Sequence, residues 1–297
     1  MLASNGNFPN QVLFTPDNAT VILTDTLGNV RAFSLQTRTE VPFDLPTGIL
    51  HIAFDPQNPR EAILVTTQNT LERRDLRTGT TLNSAEAPPN VRKVEIALNE
   101  RVVVSSNLRV LDVYTSDLLR LPVVSDIKPD LQSLAVAPSG QAFVGDNGGN
   151  IYRIDASDGT RTLVIASQNY GIANLMNFTP DGRYLLALYR SETLRLFDVT
   201  QDGALVAEHR LPHRARSFSI KHDGSQAVVS YRTKEAEVFS LPDLLPLVKL
   251  ALAAEGNLTA YSPDGAFVAV SDLDRSINVW DTNNFSPLPT LRLSNGG

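Results

Sequence analysis

Six side chains that could hold an anion fall in three short segments of the chain. They are Arg190 in the first segment, His213, Arg214 and Arg216 in the second, and Arg232 and Lys234 in the third. Guanidinium and ammonium groups bind carboxylates and phosphates through charge-assisted hydrogen bonds. Brought together by a fold, these residues predict a binding site for a partner with an acidic segment.

Motifs for catalysis or metal binding are missing from the sequence. It contains no G-x-S-x-G, H-E-x-x-H or P-loop pattern. There is no cysteine, and the four histidines, at 51, 209, 213 and 222, lack metal-ligand spacing. The glycine-rich stretch 145–150 joins two apolar runs, which predicts a hairpin turn and not a phosphate cradle. We therefore expect no metal and no cofactor, and we favour a non-catalytic protein.

The composition narrows the classes of partner and the compartment. A formal net charge of −6 argues against a dedicated nucleic-acid binder, whose surface is usually basic. No apolar run approaches the roughly 20 residues that span a bilayer, and the first ten residues lack the features of a signal peptide. We expect a soluble protein of the cytoplasm, with export after removal of a signal as the alternative.

Two independent signals repeat along the chain with a period of about 42 residues. The first is a turn between apolar runs, at 15–18 (TPDN), 55–58 (DPQN), 97–100 (ALNE), 137–140 (APSG), 179–182 (TPDG), 221–224 (KHDG) and 262–265 (SPDG). The second is an Asp or Ser that ends a later run, at 34, 75, 112, 155, 198, 240 and 281. Both signals divide nearly the whole chain into the same seven units.

Each unit contains four short apolar runs separated by turn residues. In the last unit the runs are 258–262, 267–271, 277–280 and 288–293. β-Branched and aromatic residues dominate these runs, and Gly, Pro, Asn and Asp fill the gaps, which is typical of strands and tight turns. Four strands in about 42 residues form one blade of a propeller. The sequence predicts an all-β, seven-bladed β-propeller with four antiparallel strands per blade, as a single domain over residues 1–297.

The SPDG turn (262–265) and the terminal VWD (279–281) resemble the degenerate WD repeats of WD40-like propellers and their bacterial YVTN-type relatives. The resemblance covers seven units. It implies a rigid ring whose loops present partner-binding side chains on one face.

Two positions of the innermost strand predict the core, and a third predicts a polar rim. Counted back from the proline position of each turn, the residues two and four places earlier are mostly apolar and should pack between blades. Six places earlier the residues are mostly polar: Asn10, Leu50, Arg92, Gln132, Asn174, Arg216 and Asn257. At the mouth of the channel, these amides and guanidiniums could bind an acidic or polar group, or they could simply face water.

The loops on that face are unevenly charged. The cations named above should form a basic sector, and Glu255, Asp272, Asp274 and Asp25 should form an acidic one. Complementary sectors can steer a partner and fix its orientation. The alternative is ordinary surface charge, in which Arg232 or Lys234 pairs with Asp272 or Asp274.

The leading hypothesis is a scaffold that binds a protein or peptide through the channel-mouth face. The alternative is a lactonase-like propeller hydrolase acting on a small anionic substrate, because residues 179–205 resemble blades of that family. A third possibility is that the chain is part of a longer protein or a larger complex. We also expect each terminal blade to be built from its own end of the chain, without the strand exchange common in WD40 rings.

Overall fold

The repeated turns hold their shape through an Asp side chain. In the computed structural model, which describes residues 9–43, 45–96, 102–106, 110–121, 124–125, 131–155, 160–274 and 276–292, Thr15 donates a hydrogen bond to Asp17 at 2.5 Å. The same Asp17 oxygen accepts the Ala19 amide at 3.0 Å, and Asn18 between them is left-handed, with φ of 59°. Three further turns have an acceptor of the same kind, at Asp181, Asp223 and Asp264. These carboxylates therefore stabilise turns, as their recurrence predicts.

The described residues form seven four-stranded antiparallel sheets, each ordered as the chain runs. This confirms the predicted all-β, seven-bladed architecture. Among these residues, no helix has the length and apolar character needed to cross a bilayer.

The chain divides into two compact units. Unit 1 comprises residues 1–51, 213–241 and 245–297, and unit 2 comprises 52–212 and 242–244. The single domain predicted for residues 1–297 stays a prediction.

Unit 1 contains the first sheet and the last two. The first has β1 (Pro9–Phe14), β2 (Thr20–Asp25), β3 (Val30–Ser34) and β4 (Glu40–Val41). The sixth has β21 (Ala215–Ile220), β22 (Gln226–Tyr231), β23 (Glu235–Ser240) and β24 (Pro246–Ala251). The seventh has β25 (Gly256–Tyr261), β26 (Phe267–Asp272), β27 (Ser276–Asp281) and β28 (Leu291–Arg292).

Unit 2 contains the other four sheets, with its first boundary inside β5. The second sheet has β5 (Ile49–Phe54), β6 (Glu61–Thr66), β7 (Thr70–Asp75) and β8 (Thr81–Glu86). The third has β9 (Val91–Ile96), β10 (Val102–Ser106), β11 (Val110–Tyr114) and β12 (Val124–Ser125). The fourth has β13 (Leu131–Val136), β14 (Ala142–Asp146), β15 (Ile151–Ile154) and β16 (Arg161–Ile165). The fifth has β17 (Ala173–Phe178), β18 (Tyr184–Tyr189), β19 (Thr193–Asp198) and β20 (Ala204–Arg210).

The predicted core positions of the innermost strands are buried to different degrees. All seven residues four places before the turn are buried: Val12, Ile52, Val94, Leu134, Met176, Phe218 and Thr259. Two places before the turn, Phe14, Phe178 and Tyr261 are buried, whereas Phe54, Ile96, Val136 and Ile220 are half-buried. The position four places before the proline of each turn therefore marks the core more reliably than the position two places before it.

The last sheet draws its fourth strand from the C-terminal end of the chain. Strand β28 pairs with β27 through Leu291 and Ile277, which confirms the predicted source of this strand. Residues 1–8, which we expect to stay out of that sheet, lie outside the described residues. In unit 1 the first and last sheets pack through Phe14, Val12, Ala260 and Ala269.

Candidate functional site

The polar position of the innermost strand is a β-bulge. In β13 the pairing passes from Leu131 with Asp146 to Ser133 with Gly145, which leaves Gln132 unpaired. The corresponding register shifts lie at Asn10, Arg92, Asn174, Arg216 and Asn257. A bulge bends its strand and re-aims the side chain of the extra residue. The bulges therefore explain why polar side chains recur at a position that alternation alone would direct into the core.

In unit 2, three of the predicted binding residues form one hydrogen-bonded group. Arg190 donates from Nε to Oδ1 of Asn174 at 2.9 Å and from Nη2 to Oε1 of Gln132 at 3.2 Å. The two bulged strands are joined by a hydrogen bond of 2.8 Å from the Ser133 hydroxyl to the Ala173 carbonyl. Arg190 and Asn174 are exposed, and Gln132 is half-buried. The side chain of Arg92, the fourth predicted residue here, lies outside the described residues.

In unit 1, backbone hydrogen bonds join the loops that carry the other cations. The Arg232 amide donates to the Arg214 carbonyl at 2.8 Å, and the Leu252 amide donates to the Lys234 carbonyl at 2.9 Å. The side chains of Arg214, Arg232 and Lys234 are exposed. Within the part of the chain that the structure describes, no carboxylate lies within 4.0 Å of their nitrogens.

Two further predicted residues of unit 1 have acidic neighbours. Arg216 Nη2 lies 3.2 Å from Glu255, and the side chains are 24% and 49% exposed. His213 Nε2 lies 3.9 Å from Glu235, whose carboxylate is also 3.8 Å from Lys249. Arg216 therefore differs from its neighbours, because an internal carboxylate already compensates its charge.

Two carboxylates of the expected acidic sector accept hydrogen bonds from groups of their own turns. Asp272 is fully buried, and its carboxylate accepts hydrogen bonds from the amides of Asp274 and Ser276 and from the Asn278 side chain. Asp25 likewise accepts from residues 27 and 29 of its own turn. The expectation that Asp272 is a surface acid able to pair with Arg232 or Lys234 is wrong, because its oxygens stabilise the β26–β27 turn.

Sequence reasoning missed a buried arginine in unit 2. Arg195, in the centre of β19, is 8% exposed and pairs with Glu208 at 2.6 Å. Its guanidinium carbon lies 4.1 Å from the ring centroid of Tyr170 and 4.7 Å from that of Tyr189. Burial raises the pKa of the Tyr189 hydroxyl. The sequence pattern that could have indicated a buried arginine is its position between apolar residues in the run 193–198.

A buried acid–phenol pair was also missed in unit 1. The Tyr231 hydroxyl donates to Glu237 at 2.8 Å, and both residues are buried. Burial, followed by this hydrogen bond, raises the pKa of Tyr231. The His213 ring packs edge-on against Tyr231, with centroids 5.8 Å apart, so this pair supports the loop that precedes β21.

No group of three His, Cys, Asp or Glu side chains among the described residues is arranged to hold a metal ion.

Comparisons with known proteins extend over different parts of the chain. No protein-family model matches it. An uncharacterized WD repeat-containing protein of Synechocystis sp. is 22% identical over 160 residues, which cover 52% of this chain and 46% of that protein. The chain therefore matches about half the length of this curated relative.

A solved structure matches almost the entire fold. The β-propeller domain of Cps50 (Swd1) from Myceliophteria thermophila superposes with a TM-score of 0.73 at 16% identity, covering 94% of this chain and 98% of that one. The seven four-stranded sheets and this structural match show a seven-bladed β-propeller fold, and about half of the chain is similar in sequence to a WD repeat-containing protein.

Proposed function

We propose that this propeller is a non-catalytic scaffold that binds an acidic segment of a partner protein. The candidate contact residues are His213, Arg214, Arg216, Arg232 and Lys234 in unit 1, and Arg92, Gln132, Asn174 and Arg190 in unit 2. One observation carries the proposal: Arg214, Arg232 and Lys234 are exposed on joined loops and, among the described residues, have no carboxylate partner.

Electrostatics supports a binding role for these loops. The backbone hydrogen bond between Arg232 and Arg214 keeps two cationic segments adjacent. Like charges at close range repel, so their proximity costs free energy in the absence of an anion. An acidic peptide would remove that repulsion and add charge-assisted hydrogen bonds. The chain as a whole carries a net charge of −6, so general attraction for acidic molecules cannot supply this binding.

The test is a double charge reversal, Arg214→Glu with Arg232→Glu. Binding of a fluorescent decaglutamate peptide is measured by anisotropy at several salt concentrations. We expect at least a roughly tenfold loss of affinity at low salt and a shallower salt dependence, because fewer screened attractions remain. Circular dichroism melting should be unchanged, since both side chains are exposed.

Arg60→Glu with Arg77→Glu is a matched control in unit 2. These arginines are exposed, their segments are joined by the Leu76 amide donating to the Arg60 carbonyl, and neither is a candidate contact. Each double variant changes the formal net charge from −6 to −10, two units per substitution. Equal losses in both variants, or no binding by the unmodified chain, would overturn the proposed function.

A further inference from the structure

The Gln132, Asn174 and Arg190 group of unit 2, called the amide cradle below, presents mainly donors to solvent. Arg190 contributes one N–H to each amide oxygen, which fixes the orientation of both amides. The amide nitrogens of Asn174 and Gln132 are therefore on the far side of each amide group, and both are donors. Nη1 of Arg190 and the second N–H of Nη2 add further donors beyond these two bonds.

The charge of the cradle is not compensated from within the described chain. Arg190 has no carboxylate within 4.0 Å among the described residues, and the two side chains that accept its hydrogen bonds are neutral amides. The cradle therefore carries a full positive charge that is shared with two polarised amides. This differs from Arg216 in unit 1, whose guanidinium is paired with Glu255.

The cradle is also held in a fixed geometry. Bulges place Gln132 and Asn174 at the ends of adjacent strands, and the Ser133–Ala173 hydrogen bond joins those strands. The Arg190 amide donates to the Ile172 carbonyl at 2.9 Å, which anchors the turn that supplies the guanidinium. Side chains held in this way lose little freedom on binding.

We propose that the amide cradle binds a carboxylate group of a peptide. A carboxylate is planar, carries two acceptor oxygens and no donor, and so matches an array of donors around a guanidinium. The source is either an acidic side chain or a chain terminus. The inference adds a specific contact to the proposed function and rests on it for the nature of the partner.

The direct test uses glutarate and the side-chain amide signals of Asn174 and Gln132 in ¹⁵N NMR spectra. The signals are assigned from their loss in Asn174→Asp and Gln132→Glu. We expect both to shift in a saturable way with glutarate but not with sodium chloride at equal ionic strength. Unmoved signals, or equal movement in chloride, would overturn the cradle proposal.

Asn174→Asp is also the decisive variant, because it places an internal carboxylate beside Arg190 with almost no change in volume. The protein should stay folded, since Arg190 gains a salt bridge, and the Gln132 signal should no longer respond to glutarate. Asn257→Asp is the matched control, because Asn257 lies at the corresponding bulge in unit 1 and its side chain makes no hydrogen bond among the described residues. The control should leave the glutarate response intact; if it abolishes the response, net charge and not the cradle is responsible.

Binding measurements with two peptides show whether the carboxylate comes from an acidic side chain or from a chain terminus. They also separate failure of the cradle proposal from failure of the proposed function. Two decaglutamate peptides are compared, one with a free C-terminus and one with an amidated C-terminus. If a glutamate side chain occupies the cradle, both peptides should bind Asn174→Asp roughly tenfold more weakly than they bind the unmodified protein. Only the free-acid form should respond if a chain terminus does. Should Asn174→Asp bind both peptides normally while Arg214→Glu with Arg232→Glu does not, the cradle fails as a peptide site and the scaffold function stands.

Discussion

The arginine in the core of unit 2 and two loop arginines of unit 1 have opposite surroundings. In unit 2, Arg195 is 8% exposed, packs against two tyrosine rings and pairs with Glu208. In unit 1, Arg214 and Arg232 are exposed and have no carboxylate partner among the described residues. The same side chain is a core component in one unit and a surface charge in the other.

The comparison shows that position on the strand determines what an arginine can do. Arg195 lies in the third strand of its sheet, where its neighbours in β19 are all buried. The aromatic rings replace part of its lost hydration, as cation–π contacts do. Arg214 and Arg232 lie in loops, where water solvates them and a partner can reach them. Stability should therefore depend on the first kind of arginine, and binding on the second.

The largest expected effect tests whether unit 1 gains its stability from apolar packing instead of from its cations. Phe14 is 3% exposed and packs among residues of the first and last sheets. Phe14→Ala should lower the free energy of unfolding by about 3–5 kcal/mol, through lost burial and a cavity. Urea denaturation measures the change. Leu27→Ala, at a residue 60% exposed in the same unit, should change it by less than about 0.5 kcal/mol. Equal losses would remove the apolar explanation.

The next effect contrasts the two kinds of arginine directly. Arg195→Ala should destabilise the protein by about 2–4 kcal/mol, because it removes two ring contacts and leaves a cavity. Arg232→Ala should cost less than about 0.5 kcal/mol and should instead weaken peptide binding. Arg195→Met separates packing from charge: retained stability would assign the effect to packing. Similar losses for Arg195→Ala and Arg232→Ala would contradict the comparison.

The fold could be predicted because its signals recur. A turn between apolar runs recurs once in each unit, most often with Pro, Asp or Gly, so chance matches are averaged out over seven units. The Asp17, Asp181, Asp223 and Asp264 turns show this, since each carboxylate accepts a backbone amide two residues further along the chain. The polar position was also visible from its recurrence, although the bulge that presents it was not.

The pairing of individual side chains could not be predicted in the same way. Arg216 and Glu255 are 39 residues apart, and the sequence offered Asp272 and Asp274 as equally plausible acids for the nearby cations. Asp272 was unsuitable because the turn after β26 uses its oxygens. Such choices depend on side-chain conformation and on burial, which a repeat period does not encode. For the same reason, the contact between Arg190 and the two amides emerged only from the structure.

The smallest expected effect tests the one surface arginine that breaks the comparison. Arg216 pairs with Glu255 at 3.2 Å, and Nε of Arg216 is buried without a hydrogen-bond partner among the described residues. The carboxylate of Glu255, 49% exposed, should therefore compete with an acidic peptide for this guanidinium. Exposed ion pairs are worth roughly 0.2–1 kcal/mol, so Glu255→Gln should tighten decaglutamate binding by about two- to fivefold at low salt. The gain should shrink as salt rises, because both the competing and the incoming carboxylates are screened.

Glu208→Gln is the matched control: it removes a carboxylate of similar exposure, 46%, from the buried Arg195 and changes the net charge equally. It should leave the peptide affinity within the error of the measurement. Weaker binding by Glu255→Gln would show that Glu255 orients Arg216 for the partner instead of competing with it, whereas equal tightening in both variants would reduce the effect to net charge.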